Sequence, residues 1–155
     1  MTNSSDRNRT VPGLREADEA RILKRRTATD DSQIREFTIQ TALLLDDRHC
    51  EQVIVFDVRG LSDITDYIVI ATGTSDRQIL AVGQEVENTV GPTGIARFGR
   101  EVDNPAKWLV LDFVDVVVHL FAPTTRAHYD LEMFWGDAPQ IDWHSVRQPP
   151  QSSDP

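Results

Sequence analysis

Two pairs of carboxylates stand where side-chain type and spacing could do chemistry, Asp63 with Asp66 and Asp112 with Asp115. A metal-dependent nucleotidyltransferase needs two carboxylates alternating on one strand, as in Asp-x-Asp, to hold a divalent cation, with a Gly-Ser turn before them. Ser62-Asp63-Ile64-Thr65-Asp66-Tyr67 imitates this only loosely. The first pair flanks a strand start and the second a hairpin turn, so turn chemistry accounts for both. Cys50 has only His49 beside it, and neither a C-x-x-C nor an H-x-x-x-H spacing occurs, which leaves no metal-ligand register. Ser75 follows Thr72-Gly73-Thr74 without the G-x-S-x-G elbow of a nucleophile and reads as a helix cap. Gly73 lacks a Walker lysine and a second spaced glycine, and reads as the pivot of a tight strand-to-helix turn. The residues therefore predict no catalytic group, no metal and no cofactor. A metal-dependent nucleotidyltransferase-like enzyme stays as the alternative, carried by Asp63 and Asp66.

Three features point elsewhere. His119 interrupts the apolar run Val116 to Phe121, where an imidazole needs a hydrogen-bond partner and a satisfied core histidine is the simplest reading. Arg126, Tyr129, Asp130, Glu132 and Trp135 gather charge and aromatic rings on one short helix, a mixture that suits interface anchors or a clamp onto a sheet. Trp108 opens a strand after the polar stretch Arg100 to Lys107, which predicts a ring at the surface, where aromatics favour docking.

The elements that must position these residues follow from hydrophobic spacing. Asp30, Asp31 or Ser32 caps an amphipathic helix that runs to about Asp47. Val53 to Val58 and Tyr67 to Ala71 are β-branched runs, apolar nearly throughout, so they read as strands covered on both faces. Thr74 or Ser75 starts a second helix, with Ile79, Leu80, Val82, Val86 and Val90 on its apolar stripe, ending at Gly91-Pro92. Ile95 to Phe98 reads as an edge strand, and Trp108 to Phe113 with Asp115 to Phe121 as a hairpin. A last helix is predicted from Thr124 to about Trp135. The expected fold is α/β, a single mixed β-sheet of about five strands flanked by helices.

Residues 1–29 hold seven Arg and Lys against four Asp and Glu, few apolar residues and no strong periodicity, and read as a disordered basic N-terminal extension. Residues 30–143 form the expected domain, and residues 144–155, which include three prolines, a disordered C-terminal tail. With the total at −9, that surplus of three positive charges leaves the rest of the chain at −12. Lys107 is its only lysine after Lys24. Such a domain lacks the charge that free nucleic-acid binders use, so no sequence-specific nucleic-acid binding is expected and a basic protein is the better partner. No apolar run approaches the roughly 20 residues of a membrane span, and no secretory signal follows the Arg-bearing start. With a lone cysteine, these features predict a cytoplasmic protein that does not engage a membrane.

Taken in order, Val55-Phe56-Asp57-Val58, Asp66 to Ser75 with Arg77-Gln78, Glu101, Trp108-Leu109-Val110-Leu111-Asp112, Asp115 to Phe121, Arg126, Tyr129-Asp130-Leu131-Glu132 and Trp135 resemble the ribosomal silencing factor (RsfS, Iojap) family over about Asp30 to Trp143. Val102 departs from the pattern, since the family usually has a glycine after the glutamate. The resemblance implies a nucleotidyltransferase-like core without catalytic residues. It also implies binding to the large ribosomal subunit through that subunit's basic protein numbered fourteen, steric exclusion of the small subunit, and repression of translation under nutrient limitation. Trp108, Tyr129 and Trp135 are the expected anchors. Glu101, Asp112, His119, Arg126 and Glu132 are expected to meet polar groups of the partner or to fix those anchors. A homodimer of the free protein is a further expectation.

Overall fold

The computed structural model of the chain describes residues 31–90, 99–102 and 107–147. Helix α1 spans Asp31–Asp47, strand β1 Glu51–Asp57, β2 Tyr67–Thr72, helix α2 Asp76–Val90, then β3 Gly99–Val102, β4 Trp108–Asp112 and β5 Val116–Phe121. Three short helices close the chain, α3 Pro123–Tyr129, α4 Leu131–Phe134 and α5 His144–Arg147. The strands lie in the order β1-β2-β5-β4-β3. Only β2 and β5 are parallel; the other neighbours run antiparallel. The architecture is a mixed α/β fold with one mixed sheet flanked by helices. The edge strand predicted over Ile95 to Phe98 lies outside the described residues.

One face of the sheet carries the main core. Val55, Val69, Leu109, Leu111, Val118 and Leu120 are fully buried there against Ile34, Phe37, Ala42 and Leu45 of α1 and Ile79, Val82 and Val86 of α2. Phe37 meets Phe113 edge to face, with centroids 5.0 Å apart. Thr38 and Thr41 are buried on α1 without cost to polar balance, because each hydroxyl donates to the carbonyl four residues back, Ile34 O and Phe37 O. Ser75 caps α2 as expected, its Oγ accepting the Gln78 N–H at 3.1 Å.

Two glycines permit close approach. A Cβ on Gly73 would run into the buried Ile79 side chain, and one on Gly83 into Leu109 Cδ2. Gly73 thus serves its strand-to-helix turn by leaving room, and Gly83 lets α2 settle onto β4. The β4–β5 connection is tight: Phe113 N–H donates to Val116 O at 2.8 Å, and Val114 sits at φ 75 with its N–H held by Asp112 Oδ1 at 2.8 Å. A β-branched residue in that region is strained, and the Asp112 bond offsets part of the strain.

The outer edge of β1 is covered by the chain's own later segment. Asp57 N–H donates to Pro139 O at 2.8 Å and Ile141 N–H to Val55 O at 2.9 Å, which hides donors and acceptors that an edge strand would leave free. Buried Trp143 fastens this segment, its Nε1–H donating to Val53 O at 3.2 Å. The helical turn His144–Arg147 follows directly, inside the segment read from sequence as a tail.

The last predicted helix is two helices. Asp130 adopts φ 48, ψ 54, the left-handed region, and ends α3 with its N–H on Arg126 O. That left-handed backbone turns the chain out of the right-handed helix, which restarts at Leu131.

Candidate docking surface

The second face of the sheet is only partly covered. A smaller apolar cluster of Phe56, Val58, Ile68, Ile70, Phe121 and Ala138 lies there, with Leu131, Trp135 and Trp108 packed against it. Strand alternation assigns Trp108, Val110 and Asp112 to this face, all half-buried between the fully buried Leu109 and Leu111. Register then aligns Ile54, Ile70, His119, Val110 and Glu101 in one row across all five strands. A second row pairs Thr72, Phe121 and Trp108. Trp108, Asp112 and His119 are thereby brought to one face by pairing alone, and Glu101 pairs with Val110 of the same row.

Trp108 and His119 form the polar center of that face. The indole Nε1–H donates to His119 Nδ1 at 3.1 Å, which fixes the neutral imidazole as the Nε2–H tautomer. Burial pushes the His119 pKa down to about 4, so the ring stays uncharged at neutral pH. The histidine is satisfied, but by a neighbour on this face rather than within the main core. Trp108 is half-buried, not the surface ring its polar flank predicts. It stacks on Phe121 at 4.9 Å and leans on Tyr129 at 4.7 Å.

Arg126 organises the adjoining corner and is itself only 5% exposed. One terminal nitrogen, Nη1, donates to Thr72 Oγ1 at 2.7 Å and to Gln52 O at 2.9 Å, while Nε donates to Glu132 Oε2 at 2.8 Å and Nη2 pairs with the same carboxylate. Gln52 stands at φ 50 where β1 bulges, so the guanidinium also holds a strained carbonyl. Arg126 and Glu132 are therefore consumed inside the fold. These contacts tie the start of α4 and the end of α3 to the bulge of β1 and to β2.

Three large apolar side chains of this region project outward. Tyr129 is 52% exposed, Phe134 69% and Met133 77%, whereas Trp135 is half-buried with Phe134 set edge-on to it at 4.8 Å. Met133, Phe134 and Val110 join the candidate surface although the sequence reading did not single them out as site residues. The available signal was density: Tyr129, Leu131, Met133, Phe134 and Trp135 are too many apolar residues in seven positions to share one helix face.

Among the described residues no group of three His, Cys, Asp or Glu could hold a metal ion. Ser62 Oγ accepts the N–H groups of Ile64 and Thr65, so the Ser62–Asp66 stretch is shaped as a turn. Burial raises the Cys50 thiol to about 11, which removes it as a nucleophile at neutral pH. No helix among the described residues is long and apolar enough to cross a membrane.

The chain is similar to known proteins in sequence and in fold. The chain matches the family model described as "Ribosomal silencing factor during starvation" over residues 31–155. It is 38% identical over 101 residues to the ribosomal silencing factor RsfS of Bacillus subtilis, covering 65% of this chain and 86% of that one. It is 33% identical over 115 residues to the chloroplastic protein Iojap of Zea mays, covering 74% of this chain and 50% of the other. A crystal structure of a Chromobacterium violaceum protein superposes with a TM-score of 0.62 at 30% identity, over 70% of this chain and 88% of that one. A Bacillus halodurans structure gives 0.57 at 34% identity, over 66% and 94%. The chain belongs to the ribosomal silencing factor family.

Proposed function

We propose that this chain docks on the large ribosomal subunit through the subunit's basic protein numbered fourteen, sterically blocks the small subunit and so represses translation initiation when nutrients are limiting. The observation that carries the reading is the open half of the second sheet face. There Trp108, Val110, Asp112 and His119 are half-buried on one face beside the exposed Tyr129. A net charge of −9 favours encounter with a basic protein, and half-buried aromatic rings in a preset geometry supply the holding contacts. Glu101, at the far end of the His119 row, and Asp112 are the acidic members of this footprint.

The scaffold is read as a nucleotidyltransferase-like core turned to docking. Its loose carboxylate motif is occupied with turn geometry, which supports a role without catalysis. The test is order of addition on a sucrose gradient with separated subunits. Adding the protein before the small subunit is expected to leave the subunits apart, and adding it after joining is expected to do less. Equal joining in both orders, with the protein at the gradient top, would sink the reading.

A further inference from the structure

Lys107, Thr124, Thr125, His128 and Tyr129 line an open groove of about 490 Å³ where the start of β4 meets α3. The two walls are tied through the backbone, since Ala122 N–H donates to Lys107 O at 2.8 Å. Tyr129 joins the groove to the docking face: it packs on Trp108 on one side and stands edge-on to His128 at 4.9 Å on the other.

The lining is rich in donors: a lysine ammonium, two hydroxyls and an imidazole, with no carboxylate among the described residues. That is unusual in a chain with 25 Asp and Glu against 16 Lys and Arg. Arg48, Arg59 and Arg126 are each committed to a carboxylate, on Glu85, Asp57 and Glu132. Lys107 is exposed and makes no such pair among the described residues. A cation with free donors around it suits an oxyanion, and a tetrahedral one offers an acceptor to each wall.

Resting on the docking reading above, we infer that this groove receives a backbone phosphate of ribosomal RNA at the rim of the footprint, with Lys107 supplying the charge and Thr124, Thr125 and His128 the flanking donors. The sign of the charge selects RNA over protein. A basic ribosomal protein opposite Lys107 would repel it, so a cation at this rim is attractive only where the footprint runs from protein onto phosphate. One such contact needs no base readout, in keeping with an otherwise acidic domain.

The test measures affinity for purified large subunits across a potassium chloride series, for the full chain and for Lys107→Gln and Lys107→Arg. For Lys107→Gln, binding is expected to weaken, with the slope of log affinity against log salt shallower by about 0.7 to 0.9, as for one lost phosphate contact. Lys107→Arg should keep the wild-type slope. A Lys107→Gln slope equal to wild type, or tighter binding, overturns the groove assignment and leaves docking standing; failure of the wild type to bind at any salt overturns both. Nuclear magnetic resonance titration with inorganic phosphate separates the sources. Weak, unsaturated shifts at Thr124, Thr125 and His128 support an RNA phosphate, and saturation at submillimolar phosphate would reassign the groove to a soluble ligand.

Discussion

Acidification should loosen the docking face through a single proton on His119. The unfolded ring takes up a proton near pH 6.5, whereas the folded ring does so only near 4 because of its burial. Between those values the unfolded state binds more protons, so stability is whole above about 6.5 and is lost as pH falls toward 4. At about pH 4.5 the linkage amounts to at most about 2.5 kcal/mol, and partial exposure of the ring lowers this to about 1–2 kcal/mol. Geometry gives the same sign. A proton on Nδ1 would face the Trp108 Nε1–H, turning a donor–acceptor pair at 3.1 Å into two opposed donors. The perturbation that isolates this is His119→Asn, whose side-chain oxygen can accept from Trp108 without titrating. Urea unfolding of both proteins at about pH 7 and about pH 4.5 is the assay. The wild type should lose about 1–2 kcal/mol more than His119→Asn on acidification. Equal losses would refute the reasoning.

Arg126→Met should destabilise by about 3–5 kcal/mol in thermal or urea unfolding, because it strands Glu132 and leaves Gln52 O and Thr72 without their donor; Arg126→Lys should recover little, since one ammonium cannot span both walls. Gly83→Ala should cost about 1–3 kcal/mol as α2 is pushed off Leu109, read in the same unfolding series. Trp143→Phe should cost about 1 kcal/mol by removing the donor to Val53 O, and hydrogen exchange should quicken at Asp57 and Ile141, whose N–H groups the same segment engages.

Much of the fold is legible because its strands are contiguous β-branched runs. Val53 to Val58, Tyr67 to Ala71 and Val116 to Phe121 can satisfy both apolar faces only inside a sheet, and that is where they lie. The break at Asp130 is not legible, since neither glycine nor proline marks it and an aspartate adopts the left-handed turn. The role of Arg126 is hidden for a different reason. Its Gln52 and Thr72 partners stand 74 and 54 residues away, so only the assembled bulge and sheet give the guanidinium an interior. The link between Trp108 and His119 is diagonal, because Trp108 is paired with Phe121 and His119 with Val110; a one-residue change of register would place them on opposite faces. The residue types of the candidate surface could be chosen from sequence, but which of them clamp and which project depends on these long-range contacts.

Tyr129 offers the most direct test of docking, because it is half-exposed and packs, among the described residues, on the rings of Trp108 and His128, whereas Trp108→Ala would confuse lost docking with lost packing. The measurement is the affinity of Tyr129→Ala for purified large subunits by cosedimentation, beside its melting temperature. Binding weakened by about tenfold or more with melting near that of the wild type is the predicted result, as for removal of an interface anchor. Undiminished binding with the fold intact would contradict the assignment of this face to the ribosome.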